Sequence, residues 1–304
     1  MEMGPFDAAA IDAYPSRTVW NAAAADLVGT MLARWNLTAD QAFVSSGPAS
    51  VLRVITADGS SAVLKVGFPH PEGVWEAVAL EAWGSACAPT VFRQDAETWA
   101  LLLEDVEPGI PLVRYHVPAR SSLRSAAQLY KTLSTRPVPD GIPTLVETVQ
   151  PFLDKALSRL RHHLPLLGDN GDVLRAGLEV LAELLERQPV ELFLHGDFAP
   201  GNIISSTAGW RAIDPKPMRG DPAFDLWPLV SQLGSPWRDA QPERILAEQL
   251  QFVAELAGIE VRRAARWGFA RAALTLSWFL DEQDARAALV ALREAKAWRA
   301  VSGA

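Results

Sequence analysis

The chain has 304 residues, 49% hydrophobic and 21% charged, with a formal net charge of −8. That length allows a sizeable core and two lobes. The acidic balance argues against a nucleic-acid partner, whose affinity rests on Lys and Arg neutralising phosphates; it mildly favours a cationic ligand, although most soluble proteins are acidic.

The opening segment, MEMGPFDAAAID, is acidic and lacks the basic-then-apolar order of a signal peptide. Residues 18–35 read as a helix carrying Val19, Leu27, Met31 and Trp35. After SSGPAS the texture changes. VLRVIT and SAVLKVG are short β-rich runs separated by ADGS, and Asp-Gly is a strong hairpin signal. A helix follows over 73–86, with Glu76, Leu80 and Trp83 at helical spacing. Cys87, the single cysteine, permits neither an internal disulfide nor a zinc cluster. Its neighbourhood, SACAPT, holds no basic group to activate a thiolate, so it reads as a packed side chain. A cytoplasmic setting is expected. TVFRQ and TWALLLEDV are further strands, giving roughly five with one helix among them.

EDVEPGIPL, residues 104–112, breaks the pattern. Beyond it the reading is helical, over about 119–134, 145–163, 171–188, 241–257, 260–280 and 282–299, with one β island at 192–214. Strands and helices are segregated, which predicts an α+β fold. No repeat, no low-complexity linker and no apolar stretch of bilayer length is present, so no membrane partner is expected.

The β island carries LHGDFAPGN. Pro-Gly cannot continue a strand, so His195, Asp197 and Asn202 sit on a loop held between two buried strands. Asn202 lies five positions after Asp197, and Asp214 twelve further on, at the end of RAID. This is the order of a kinase-type catalytic loop: a base, a metal-binding asparagine, then a metal-binding aspartate. Phosphoryl transfer needs a carboxylate to accept the hydroxyl proton and oxygen ligands for Mg2+ on the triphosphate, and one Asn with one Asp supplies the latter. A lone HGD is no more than a turn; the full spacing with flanking strands is far more specific. His195 reads as a loop-orienting group, and without a second His or Cys nearby zinc is disfavoured.

HGDFAPGN followed by IDPKPMRGDPAFDL resembles the aminoglycoside phosphotransferase family, in particular the branch of streptomycin 6-phosphotransferases and hydroxyurea phosphotransferases. The resemblance covers roughly residues 40–285. It implies a protein-kinase-like bilobal fold, with residues 1–104 as a small β-rich nucleotide-binding lobe with a leading helix. Residues 105–304 would form a larger helical lobe with the hinge, catalytic loops and acceptor site. It implies ATP and Mg2+ as cofactors, Asp197 as catalytic base, Asn202 and Asp214 as Mg2+ ligands, and Asp225 as a structural brace of the loop. The sequence departs at Phe198-Ala199-Pro200, where the streptomycin enzymes often carry Leu-His-His. These side chains are expected beside the base, which leaves the acceptor open.

On the nucleotide side, Lys65 in AVLKVG is one cation in an apolar strand, a pattern that also suits a lysine snorkelling to solvent; it resembles the kinase lysine that contacts the α/β-phosphates. Glu76 in WEAVALEAW is its expected partner, by resemblance to the family's E-x-x-A-L-x-x-W, and Glu81 is expected to be solvated. SSGPAS, with Ser46 and Gly47, stands at the nucleotide-loop position without being a Walker A or a full G-x-G-x-x-G. LLLEDVEPG resembles the hinge, where adenine would meet the backbone of Glu104 to Val106. Acceptor candidates are Lys216, Arg219, Trp278, Asp281 and Glu282. The carboxylates suit a polycationic aminoglycoside but also a solvated helix end, and a tryptophan such as Trp278 is more often core than platform.

The reading is an O-phosphotransferase acting on a small-molecule hydroxyl, streptomycin-type or hydroxyurea. Alternatives are a kinase of the same fold for a metabolite (a sugar, a choline-like alcohol, homoserine), a catalytically idle nucleotide-binding regulator, and a metal-dependent hydrolase using His195 and the aspartates.

Overall fold

The computed structural model describes residues 3–43, 49–115 and 118–304. In chain order the elements are α1 (Ala9–Ala13), α2 (Arg17–Trp35), β1 (Thr38–Ala42), β2 (Ala49–Ile55), β3 (Ser61–Gly67), α3 (Glu76–Trp83), β4 (Val91–Asp95), β5 (Ala100–Glu104) and β6 (Pro108–Pro111). There follow α4 (Ala119–Ser134), α5 (Leu145–Leu167), α6 (Gly171–Glu186), β7 (Leu192–Leu194), β8 (Ile203–Ser206), β9 (Gly209–Ala212) and β10 (Met218–Gly220). The chain closes with α7 (Leu226–Gln232), α8 (Pro242–Ala257), α9 (Val261–Asp281) and α10 (Ala285–Ser302). None of the described helices is long and apolar enough to cross a membrane. Contacts group the chain into two compact units, residues 1–111 with 202–217, and residues 112–201 with 218–304. A linear cut at residue 104 differs from this grouping because β6 pairs with β8, and β8 with β9, so the hairpin after Asn202 clusters with the first unit.

In the first unit, antiparallel strands run in the order β1-β2-β3-β5-β4. The ADGS hairpin forms as expected: Ile55 pairs with Ser61, and Gly59 takes φ +84 in the turn, a value costly for a residue with a Cβ. Helix α2 is capped by Ser16, whose Oγ accepts from the Val19 N–H, and it ends at Asn36 in the left-handed region. Its Trp20, Ala24 and Met31 pack with Val54, Ala62, Leu64, Val66, Ala100 and Leu102. Ala62, Leu64 and Val66 alternate along β3, so Lys65 faces the opposite side of the sheet, as the two-residue period requires. Helix α3 is shorter than expected because Pro71–Gly73 forms a separate 3-10 turn. Cys87 is buried, and its carbonyl accepts from the Ala212 N–H at 2.7 Å.

In the second unit, Thr144 and Glu147 form a reciprocal capping box that starts α5. Helix α6 lies so close to α9 that a Cβ on Gly177 would come within 2.2 Å of the Ala273 Cβ. Helix α10 begins at Ala285 rather than 282 because Gln283 adopts φ +57 and Asp284 caps the Ala287 N–H. The short antiparallel pair β7–β10 joins Leu194 to Met218 and Phe193 to Arg219, and so holds the strand leading into His195.

Candidate active site

Lys65 Nζ donates to Glu76 Oε1 and to Asp214 Oδ1, each at 2.6 Å. Glu76 is the first residue of α3 and is buried; the Asp214 side chain is half-exposed. Burial opposes a charge on Lys65, but Asp214 and Glu76 outweigh it and hold the ammonium pKa above its ordinary value. Burial pushes the Glu76 carboxyl up, with Lys65 pulling it back. An unpaired buried charge costs several kcal/mol, so this arrangement depends on all three groups. Glu81 is exposed and accepts the Met3 N–H at 2.9 Å.

Asp214 owes its place to the β8–β9 hairpin. Ile203 pairs with Ala212, and the Ile213 N–H donates to the Asn202 carbonyl at 2.9 Å, which extends the ladder by one rung. Asn202 and Asp214 therefore share one end of the hairpin, although they lie twelve positions apart in the chain. Asp214 has φ +56, a left-handed conformation that Asp tolerates better than most residues and that recurs at functional sites.

The 194–197 turn is built in the second unit. Gly196 takes φ +80. Asp225, fully buried, accepts the His195 N–H at 2.7 Å with Oδ2 and the Gly196 N–H at 2.9 Å with Oδ1. Burial pushes its carboxyl up to about 6 against the pull of those N–H groups and Arg271, with Asp197 adding to the rise. His195 is buried; its Nδ1 accepts the Asp197 N–H at 3.3 Å, and its ring meets the Phe198 edge at 5.6 Å. Asp197 itself is partly exposed. Phe198, Ala199 and Pro200 are all buried, and Phe198 also packs on Tyr130 at 5.1 Å. They follow Asp197 directly, as expected of side chains beside the base, and the Phe198 ring packs into the core beneath the turn.

The chain matches the family model described as aminoglycoside/hydroxyurea antibiotic resistance kinase over residues 34–283. It belongs to this family. It is 31% identical over 277 residues to the streptomycin 6-kinase of Streptomyces glaucescens, covering 89% of this chain and 87% of that protein. It is 30% identical over 270 residues to the hydroxyurea phosphotransferase of Kitasatospora aureofaciens, covering 84% and 73% respectively. An aminoglycoside phosphotransferase in a ternary complex with ADP and hygromycin B shares the fold, with a TM-score of 0.61 at 15% identity over 91% of this chain and 98% of that one. The fold is thus protein-kinase-like, and the chain is a resistance-kinase relative acting as a phosphotransferase.

Not every expected site residue of this resistance-kinase relative takes the expected place. Ser46 and Gly47 lie outside the described residues. The Glu104 N–H donates to the Thr90 carbonyl at 2.9 Å, and its side chain accepts from Thr90 and pairs with Arg211 at 2.7 Å, tying β5 to β9. Val106 is buried. Lys216 lies 3.8 Å from Glu72 in the first unit. Arg219, half-exposed in the second, lies 3.7 Å from Glu191. Trp278 is 52% exposed, not core, with Lys155 Nζ 5.7 Å from its ring. Asp281 is engaged by Lys155 at 3.1 Å and by buried His163 at 3.0 Å, and Glu282 is the exposed C-cap of α9.

Sequence reasoning missed the network around Asp221. Buried Asp221 caps the Ala223 N–H at 3.0 Å, accepts the Trp267 Nε1–H at 2.6 Å and pairs with Arg263. Arg271 lies over the Phe224 ring at 4.0 Å and donates to the Phe224 carbonyl at 3.1 Å. Together these hold the turn that delivers Asp225. The GDPAFDL string contains the signal, but its partners come from α9, some 45 residues later.

Proposed function

We propose that the chain is an ATP- and Mg2+-dependent O-phosphotransferase for a small-molecule hydroxyl, streptomycin-type or hydroxyurea. The observation that carries this reading is the Lys65 ammonium shared between Glu76 and Asp214, with Asp214 held beside Asn202 at one hairpin end. In this reading Asp197 accepts the acceptor hydroxyl proton and orients the attacking oxygen, and Lys65, set by Glu76, engages the triphosphate. Asp225 and His195 fix the turn that presents Asp197.

The donor chemistry fits Mg2+: Asp214 and Asn202 bring a carboxylate and an amide oxygen, the hard donors the ion takes alongside phosphates and water. Among the described residues no group of three or more His, Cys, Asp or Glu is arranged to hold a metal ion. When bound, Mg2+ neutralises charge on the transferring phosphoryl group. His195 is committed to the turn, which disfavours its use as a hydrolase ligand. The relatives, a streptomycin 6-kinase and a hydroxyurea phosphotransferase, support streptomycin and hydroxyurea as the first acceptors to try.

The test is Asp197→Ala in the full chain. Binding of AMP-PNP with Mg2+ should stay within about threefold, while ADP formation with the productive member of an acceptor panel (streptomycin, other aminoglycosides, hydroxyurea, choline-like alcohols, sugars) falls by ~10²–10⁴-fold. Unchanged turnover would overturn the assignment of the base.

A further inference from the structure

Helix α3 delivers Glu76 to Lys65, yet its own start is loosely specified. It spans eight residues, its N-cap is Trp75, and no side chain caps its first N–H groups. Such a helix end needs positioning from elsewhere. The N-terminal segment supplies it. The Phe6 N–H donates to the Val74 carbonyl at 2.8 Å, two residues before Glu76, and the Met3 N–H reaches Glu81 on the same helix.

The other side of the segment is tied to the β4–β5 hairpin. Gly4 and the Gln94 amide exchange two hydrogen bonds, at 3.3 and 2.9 Å. The Asp7 N–H donates to the Ala96 carbonyl at 3.0 Å, and Trp99 Nε1–H donates to the Asp7 carbonyl at 2.9 Å. Phe6, 4% exposed, stacks on Trp99 with centroids 4.8 Å apart and planes 11° from parallel.

Trp99 links this segment back to the lysine. Its carbonyl accepts the Gly67 N–H at 2.9 Å, two residues past Lys65. The loop from β3 to α3 lies on its ring: a Cβ on Gly73 would stand 2.9 Å from His70 Nε2 and 3.2 Å from Trp99 Cζ3. The segment thus touches the approach to Glu76 directly and the strand of Lys65 through one indole. It also lies before residue 34, where the family match begins.

We propose that residues 3–7 form a brace that sets α3, and so Glu76, against Lys65, with Phe6 as its positioning residue. The brace rests on the reading that Lys65 engages the nucleotide phosphates. It predicts that an N-terminal change is felt as a nucleotide defect. Aromatic stacking between two buried rings contributes beyond area alone, so truncating Phe6 releases the helix start without touching any group of the site.

The experiment uses the full chain with ATP, Mg2+ and the productive acceptor of the panel. Phe6→Ala should raise the KM for ATP about tenfold and weaken AMP-PNP binding equally, with the acceptor KM within twofold. Phe6→Tyr should restore both. In a Glu76→Gln background, Phe6→Ala should add less than twofold, because the two changes break the same link. Gln94→Ala keeps the aromatic stack and should raise the KM for ATP about threefold, which keeps the test open should Phe6→Ala not fold. A wild-type KM for ATP in Phe6→Ala, or fully multiplicative effects with Glu76→Gln, would overturn the brace. Lys65→Met separates the two levels. If it lowers nucleotide affinity while Phe6→Ala does not, the brace alone is wrong; if it leaves affinity unchanged, the nucleotide reading falls with it.

Discussion

Asp225→Asn pits two energies against each other. The wild-type carboxylate accepts two backbone N–H groups, at 2.7 and 2.9 Å, from a fully buried position. Burial nevertheless wins, lifting its pKa from 3.8 to about 6. That displacement corresponds to about 3 kcal/mol of stability, present while the group is protonated and lost as pH rises from about 3.8 through about 6. An amide removes the charge, so the stability of the variant relative to the wild type should improve by about 3 kcal/mol between pH 3.8 and pH 8, with about half of that improvement present at pH 5. At ~2 °C per kcal/mol for a chain of this size, the difference in melting temperature should shift in favour of the variant by roughly 6 °C over that range. Yet the amide can accept only one of the two N–H groups and presents its own donors to the other, which costs about 1–3 kcal/mol at every pH. The turn at Gly196 loosens, and turnover measured by ADP release should fall at least tenfold. Thermal melts at pH 5 and 8, with kcat at pH 8, test both halves. A difference in melting temperature between variant and wild type that does not shift in favour of the variant from pH 5 to pH 8 would refute the claim that burial outweighs the hydrogen bonds. A more stable variant with unchanged kcat would refute the role of Asp225 in holding the turn.

Glu294 lines a 380 Å³ cavity with Trp227, Trp237 and Arg238, and burial alone raises its carboxyl from 4.5 to about 7. No cation pairs with it among the described residues, so Glu294→Gln should raise the melting temperature at pH 8.5 and leave it unchanged at pH 4.5; a gain of similar size at both pH values would contradict this. Chelating divalent cations should weaken AMP-PNP binding at least tenfold by calorimetry, an effect that Asp214→Ala should reduce; equal affinity with and without Mg2+ would count against the proposed metal ligands.

The parts of the site that were legible in the sequence share one property: their signal is local. Lys65 is one cation in an apolar strand that resembles the kinase lysine, Glu76 stands in a short stretch that resembles the family's E-x-x-A-L-x-x-W, and the His195-Asp197-Asn202-Asp214 spacing spans twenty residues of one hairpin and its approach. The helices of the second unit were legible for the same reason, since three or more turns display their apolar stripe. β1, with the sequence TADQA, is exposed at every position and has no alternation to read. β6 and β10 are four and three residues long, too short to show a period. The pairs that hold the elements around the site are long-range: Phe6 with Trp99 and Asp221 with Trp267; so is His163 with Asp281. Asp281 shows the consequence, since its polarity marked it as an acceptor group while a histidine 118 residues earlier already holds it.

The Lys65 cluster carries a consequence in its charge count. One ammonium faces two carboxylates, for a formal charge of −1, and neighbouring Lys216 lies toward Glu72. A triphosphate is strongly anionic, so the bare cluster cannot attract it by charge. Asp214 is the member able to change partners: its side chain is half-exposed whereas Glu76 is buried, and its left-handed backbone sits at a hairpin end rather than in a helix. If Asp214 turns to a divalent cation, Lys65 retains Glu76 alone as its counter-charge and its remaining donors are available to phosphate oxygens. In the proposed reading, the ion pair between Lys65 and Asp214 would keep a buried ammonium satisfied until nucleotide and metal bind. The pairing with Glu76 has to persist through that exchange, and for that reason the position of α3 matters more than its short length suggests.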